Sequence, residues 1–205
     1  MHHASNLKHK AMSSTTERHP LQPFLPENAR ILMLGSFPPP KARWSMDFFY
    51  PNWQNDMWRI WGIIFYNDSH FFEIKGEKRF DKEKVKAFCN ETGIALYDTA
   101  SEIIRQKDNA SDKFLEVVAP SDICAMLNKI PHCRAIVTTG EKATDVITEL
   151  FGCEKPKVGT RTTITANGRE LHFWRMPSSS RAYPLAIEKK ALYYNEILQA
   201  EIGKK

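Results

Sequence analysis

Arg30-Ile-Leu-Met-Leu-Gly35, running straight into Ser36-Phe-Pro-Pro-Pro40, decides the fold. Its apolar residues show no polar alternation, which predicts a strand covered on both faces, as in a parallel sheet. The prolines end it, because they cannot donate to a ladder and their φ is fixed. Outward from this stretch, Ile94-Ala-Leu-Tyr-Asp98 and Ala135-Ile-Val-Thr-Thr139 repeat the short apolar pattern. From Asp56 to about Tyr66, helical spacing puts Met57, Ile60, Trp61 and Ile64 on one face, with Asn55 as N-cap. Further helices are predicted over Asp81–Asn90, Ser121–Lys129, Gly140–Phe151 and Ala186–Ile202. Asn167-Gly168 is a strong hairpin signal between 162–165 and 170–174. Residues 104–119 read as polar and irregular. Alternation of strands and helices predicts an α/β fold: a three-layer α/β/α sandwich around a mostly parallel four-stranded sheet.

The chain has 205 residues, the size of one domain. That domain is expected over 19–205, behind a polar tail, 1–18, expected to be disordered. The spacing of His2, His3, His9 and His19 is too irregular to suggest a metal site. A net charge of +5 suits an anionic partner, and serves solubility equally well. Cys89, Cys124, Cys133 and Cys153 form no paired spacing, which favours a reduced, cytoplasmic protein. No apolar run reaches membrane-spanning length, and the N-terminus lacks the apolar stretch of a secretory signal. Nucleophile-elbow, phosphate-loop, dinucleotide-binding and deaminase zinc motifs are absent.

Ligands of such sheets bind beyond the carboxyl ends of the strands. That rule collects Gly35–Pro40, Asp98 and Met176–Arg181 at one rim. After Gly35, Ser36 and Phe37 come Trp44, Phe48, Phe49, Tyr50 and Trp53, an aromatic cluster in a long loop. One face of it suits the core, and the other suits stacking on a flipped base. Asn55 and Asp47 are the nearest polar groups able to orient a water, although Asn55 also reads as a simple helix cap. In Arg175-Met-Pro-Ser-Ser-Ser-Arg-Ala-Tyr183, the serines Ser178, Ser179 and Ser180 offer donors without bulk to a phosphate. Arg181 and Tyr183 stand where a side chain could enter a duplex. A plain serine-rich turn is the bland alternative.

Gly35-Ser36-Phe37-Pro38 after the first strand, and Met176-Pro177-Ser178 after the last, resemble the first and last motifs of the uracil-DNA glycosylase superfamily. Leu34–Pro38, Phe49-Tyr50-Pro51 and Asn55-Asp-Met-Trp58 are most similar to its branch related to hypoxanthine-DNA glycosylase and mismatch-specific uracil-DNA glycosylase. Gly93–Asp98 and Pro120–Ile123 extend the resemblance over about residues 19–200. It implies a monofunctional DNA N-glycosylase that removes a deaminated base, hypoxanthine or uracil, in base excision repair. Phe37 stands where the uracil enzymes carry a water-positioning Asp or Asn, so the resemblance implies Asn55 in that role, with Asp47 or Asp98 in reserve. Gly35, Ser36, Phe37, Phe49 and Tyr50 would hold the base. Pro38, Ser178, Ser179, Ser180, Arg181 and Tyr183 would hold DNA. Met176 replaces a His or Asn that would stabilise the departing base. The expected partner is damaged DNA, with no cofactor, metal or membrane, and the protein is expected to be a monomer. Two rivals stand beside this reading: a non-catalytic nucleic-acid-binding module on the same fold, and an enzyme acting on free nucleosides.

Overall fold

The computed structural model describes residues 15–106 and 114–203. A five-stranded sheet forms the centre, in the spatial order Ile94–Asp98, Ile31–Gly35, Ala135–Thr139, Arg169–Met176 and Thr160–Ala166. Strands β2 (Ile31–Gly35), β3 (Ile94–Asp98), β6 (Ala135–Thr139) and β8 (Arg169–Met176) are mutually parallel. Every residue of β2, β3 and β6 is buried, so layers cover both faces of the sheet. This is the predicted α/β sandwich around a mostly parallel sheet, with five strands where four were expected. The edge strand β7 (Thr160–Ala166) pairs antiparallel with β8. Asn167 and Gly168 join them, both at positive φ, the requirement of a two-residue hairpin turn.

Helices α1 (Met57–Tyr66), α2 (Lys82–Thr92) and α5 (Ile187–Ile197) share one aromatic core, where Trp61 meets both Phe88 and Tyr194. Helix α3 (Ile123–Lys129) is capped by Asp122, and α4 (Glu141–Phe151) packs on β6. The last predicted helix is regular only to Ile197, and a π turn, Leu198–Ile202, carries it on.

Two expectations give way. The segment 104–119 is not all irregular: β4 (Ala100–Arg105) and β5 (Leu115–Pro120) form an antiparallel ladder. β1 (Thr16–Arg18) adds to β4, making a second, three-stranded sheet. Part of the expected disordered tail is therefore a strand, while residues 1–14 lie outside the described residues. After β1 the chain runs along the main sheet's free edge. The His19 amide donates to Ser101 O at 2.8 Å, and Phe24 exchanges two backbone hydrogen bonds with Leu96 of β3.

Candidate functional site

The carboxyl ends of the four parallel strands open into a pocket of about 140 Å³. A cavity of about this size holds one small aromatic ring. Gly35, Asp98 and Thr139 end β2, β3 and β6, and Ser178–Ser180 follow β8. Phe37, Phe49 and Tyr50 supply its rings, and Pro38, Pro39 and Asn55 complete the rim.

The two loops flanking this pocket are joined by backbone. Asn55 and Ser180 form an isolated antiparallel bridge. The Asp56 amide donates to Ser179 O at 2.8 Å, and the Arg181 amide donates to Gln54 O at 3.1 Å. Side chains lock this seam from behind. Buried Asp56 accepts from Arg181 Nε at 2.9 Å and lies 3.9 Å from Lys190 Nζ. Lys190, also buried, donates to Ser180 O at 2.8 Å. Burial pushes its ammonium pKa down, Asp56 pushes it back up, and Arg181 adds to the lowering. Arg59 lies over the Trp53 ring and donates to Trp53 O and Asn55 O. Burial lowers the Arg59 pKa, against the pull of Glu73.

The N-cap position of α1 falls on Asp56, one residue later than predicted, but Asn55 Oδ1 still caps the helix from the preceding position, accepting from the Met57 amide at 2.9 Å. The cap leaves its amide group and a second lone pair of Oδ1 for the pocket. Tyr50 holds a positive φ of 49° beside it, and its hydroxyl lies 3.2 Å from Thr139 Oγ1. Burial, reinforced by the charge of Asp98, drives the Tyr50 pKa far up, so the ring stays neutral.

At the end of β3, Asp98 Oδ2 accepts from His19 Nε2 at 2.8 Å. The His19 side chain is 2% exposed and that of Asp98 11%. Asp98 lies directly opposite Gly35 in the parallel register, and a Cβ at Gly35 would collide with its Oδ1. Close approach of the carboxylate, not an unusual φ, is therefore what requires glycine here.

Of the predicted site residues, Gly35, Ser36, Phe37, Pro38, Phe49, Tyr50, Asn55, Asp98, Ser178, Ser179 and Ser180 line this one pocket. Others stand elsewhere. Asp47 is 66% exposed and faces Lys41 at 3.8 Å, because Met46 and Phe48 on either side of it turn into the core. It cannot orient a water in the pocket. Ser179, although it lines the pocket, is buried, and its carbonyl accepts from the Asp56 amide in the seam. Arg181 is tied to Asp56 instead of standing free at a tip, and neither it nor half-buried Tyr183 lines the pocket. The aromatic cluster is largely structural: Phe48 and Phe49 pack edge to face in the core, and Phe37 packs against Ala100, Ile103 and Leu115. Sequence reading missed His19, Thr139 and Asp56. His19 sits 79 positions from its partner, where the expected domain only begins.

No family model matches the sequence, and no curated protein does either. Among solved structures, the solution NMR structure of a "putative Uracil DNA glycosylase" from Methanosarcina acetivorans is similar, at 21% identity and a TM-score of 0.59. The match covers 88% of this chain and 98% of that one. The fold of this chain is thus the α/β fold of that protein.

Proposed function

We propose that this protein is a monofunctional DNA N-glycosylase that hydrolyses the N-glycosidic bond of a deaminated base, hypoxanthine or uracil, extruded from DNA. The observation that carries this reading is the seam between Asn55 and Ser180, which closes one ring-sized pocket between the two motif loops. Aromatic walls with a few polar groups are what an extruded base requires. The basic net charge and the similar fold of a protein described as a "putative Uracil DNA glycosylase" support it further.

In this reading the base lies against Phe49 and Tyr50, deep in the pocket, and its sugar stays near the rim. Asn55, at the rim, orients the water. As the C1′–N bond breaks, its electron pair leaves with the base. The water oxygen bonds to C1′, and Asp98 accepts the proton released. Backbone N–H groups around the pocket supply the donors that a departing anionic base needs, since Met176 is buried and apolar. Half-exposed Ser178 and Ser180 face the phosphate chain.

Release of free base from single- and double-stranded oligonucleotides carrying uracil or hypoxanthine tests the reading. Turnover is expected on at least one lesion. A second reading, a non-catalytic nucleic-acid-binding module, draws on the packing of Phe37 and Met176 into apolar cores. It predicts salt-dependent DNA binding with no base release. Failure to bind any DNA would contradict both.

A further inference from the structure

The strap before β2 carries a group that the proposed chemistry has not yet used. His19 is held on every side. Its backbone amide is fixed to Ser101 O, at the irregular step where the β4–β5 register shifts. Its Nδ1 lies 3.0 Å from Leu21 O and 3.1 Å from the Leu21 amide nitrogen, so that nitrogen has a partner with or without a proton. The ring sits 4.5 Å from Tyr97 and 5.2 Å from Phe37, centroid to centroid, with Phe49 beyond. Only Nε2 is left, and it points at Asp98 Oδ2. A buried polar side chain with one remaining donor and three neighbouring rings has little rotameric freedom, and neither has the carboxylate it holds.

Asp98 is constrained from the opposite side as well. The missing Cβ at Gly35 gives Oδ1 room beside the pocket. Among the described residues Oδ1 accepts no hydrogen bond, whereas Oδ2 is taken by His19. The two oxygens are therefore divided: one anchored and one offered to whatever fills the pocket.

We infer that His19 is a positioning residue for the glycosylase reaction, aiming Asp98 Oδ1 at the reacting water through the Nε2–Oδ2 hydrogen bond. The inference rests on the glycosylase reading and adds to it a residue on the strap. It also gives the small three-stranded sheet a role, since Ser101 of β4 fixes the strap's backbone at His19. An acceptor turned away by one rotamer step would leave the substrate bound but unreacted, because general-base catalysis depends on reach before all else.

The test uses single-turnover base release and duplex binding by the full chain. H19F keeps a ring among the aromatics but removes the donor. It is expected to slow release about 10²-fold, the scale of a lost general base, with duplex affinity within about twofold. H19Q, whose amide nitrogen reaches the position of Nε2, is expected to recover about tenfold of that loss. In a D98N background, H19F is expected to add nothing further, since one interaction cannot be lost twice. Should H19F fail to fold, H19N supplies the loss, its amide being too short to reach Oδ2. Wild-type rates in H19F or H19N, absence of rescue by H19Q, or independent effects of H19F and D98N would overturn the positioning role alone. A wild-type chain that releases no base would overturn the glycosylase reading, and this inference with it.

Discussion

Asn55 and Ser180 lie opposite one another in an antiparallel bridge, although 125 positions separate the Asp56 and Arg181 side chains that tie the same seam. The bridge makes the pocket's two walls a single unit. It also gives Asn55 two duties: its Oδ1 caps α1, and its remaining groups face the pocket.

Replacing Asn55 by Ala should separate these duties. Loss of the cap costs about 1 kcal/mol, readable as a lower urea midpoint. Base release is expected to fall by about 10²-fold or more, while duplex affinity stays within about twofold. A stability loss with unchanged release would leave Asn55 as a cap only.

Asp56→Ala removes the anion facing Arg59, Arg181 and Lys190. Buried Lys190 then keeps only Ser180 O, and breaking one side of a buried charge cluster costs about 3 kcal/mol. Equilibrium unfolding should show this, together with loss of base release as the serine loop drifts. A change under about 0.5 kcal/mol, the scale of an ordinary surface substitution, would mean that the cluster does not hold the seam.

Gly35→Ala forces a methyl group against Asp98 Oδ1. The backbone φ is not the obstacle, so the effect is expected at the carboxylate. Release should drop at least about tenfold, with a stability cost of about 1–3 kcal/mol from overpacking. An alanine variant of full activity would show that Asp98 does not need its present position.

The cysteines give a prediction independent of function. All four are free; Cys89 and Cys133 are buried, Cys124 and Cys153 half-buried. Burial drives the Cys89 pKa far up and pushes the Cys133 thiol to about 11, against hydrogen bonding by the Ala135 backbone and the nearby Arg169. At pH 8 only about one Cys133 in a thousand is thiolate, the reactive form. Raising the pH toward 11 increases that fraction. In the folded protein at pH 8, alkylation should therefore reach Cys124 and Cys153, with Cys89 and Cys133 protected until denaturant is added. Rapid labelling of Cys133 would contradict the packing around β6.

Much of this was legible in the sequence, for physical reasons. β2, β3 and β6 are apolar on both faces, and only a doubly covered sheet accommodates that. Asn167-Gly168 specified its own turn. The meeting of the proline and serine loops followed from the rule that ligand sites gather at carboxyl strand ends. The second sheet was harder to see. β5 exposes alternate residues, and β4 pairs with it across residues outside the described chain. Asp47 and Asp98 were both candidate acceptors, and only tertiary packing turns one to water and the other into the pocket. His19 depends on the strap docking against Ser101 and Leu96, a long-range event with no local pattern.

The claim beneath all of this is that the pocket between Gly35–Pro39 and Ser178–Ser180 takes one extruded nucleotide. Backbone amide chemical shifts, recorded while titrating a duplex carrying a 2′-fluorinated, uncleavable uracil or hypoxanthine nucleotide, test it most directly. The largest shifts are predicted at Gly35, Ser36, Tyr50, Asn55, Asp98, Thr139 and Ser178, and they should fade when an ordinary base replaces the lesion. Lesion-dependent shifts centred on another face, or none at these residues at saturation, would contradict it.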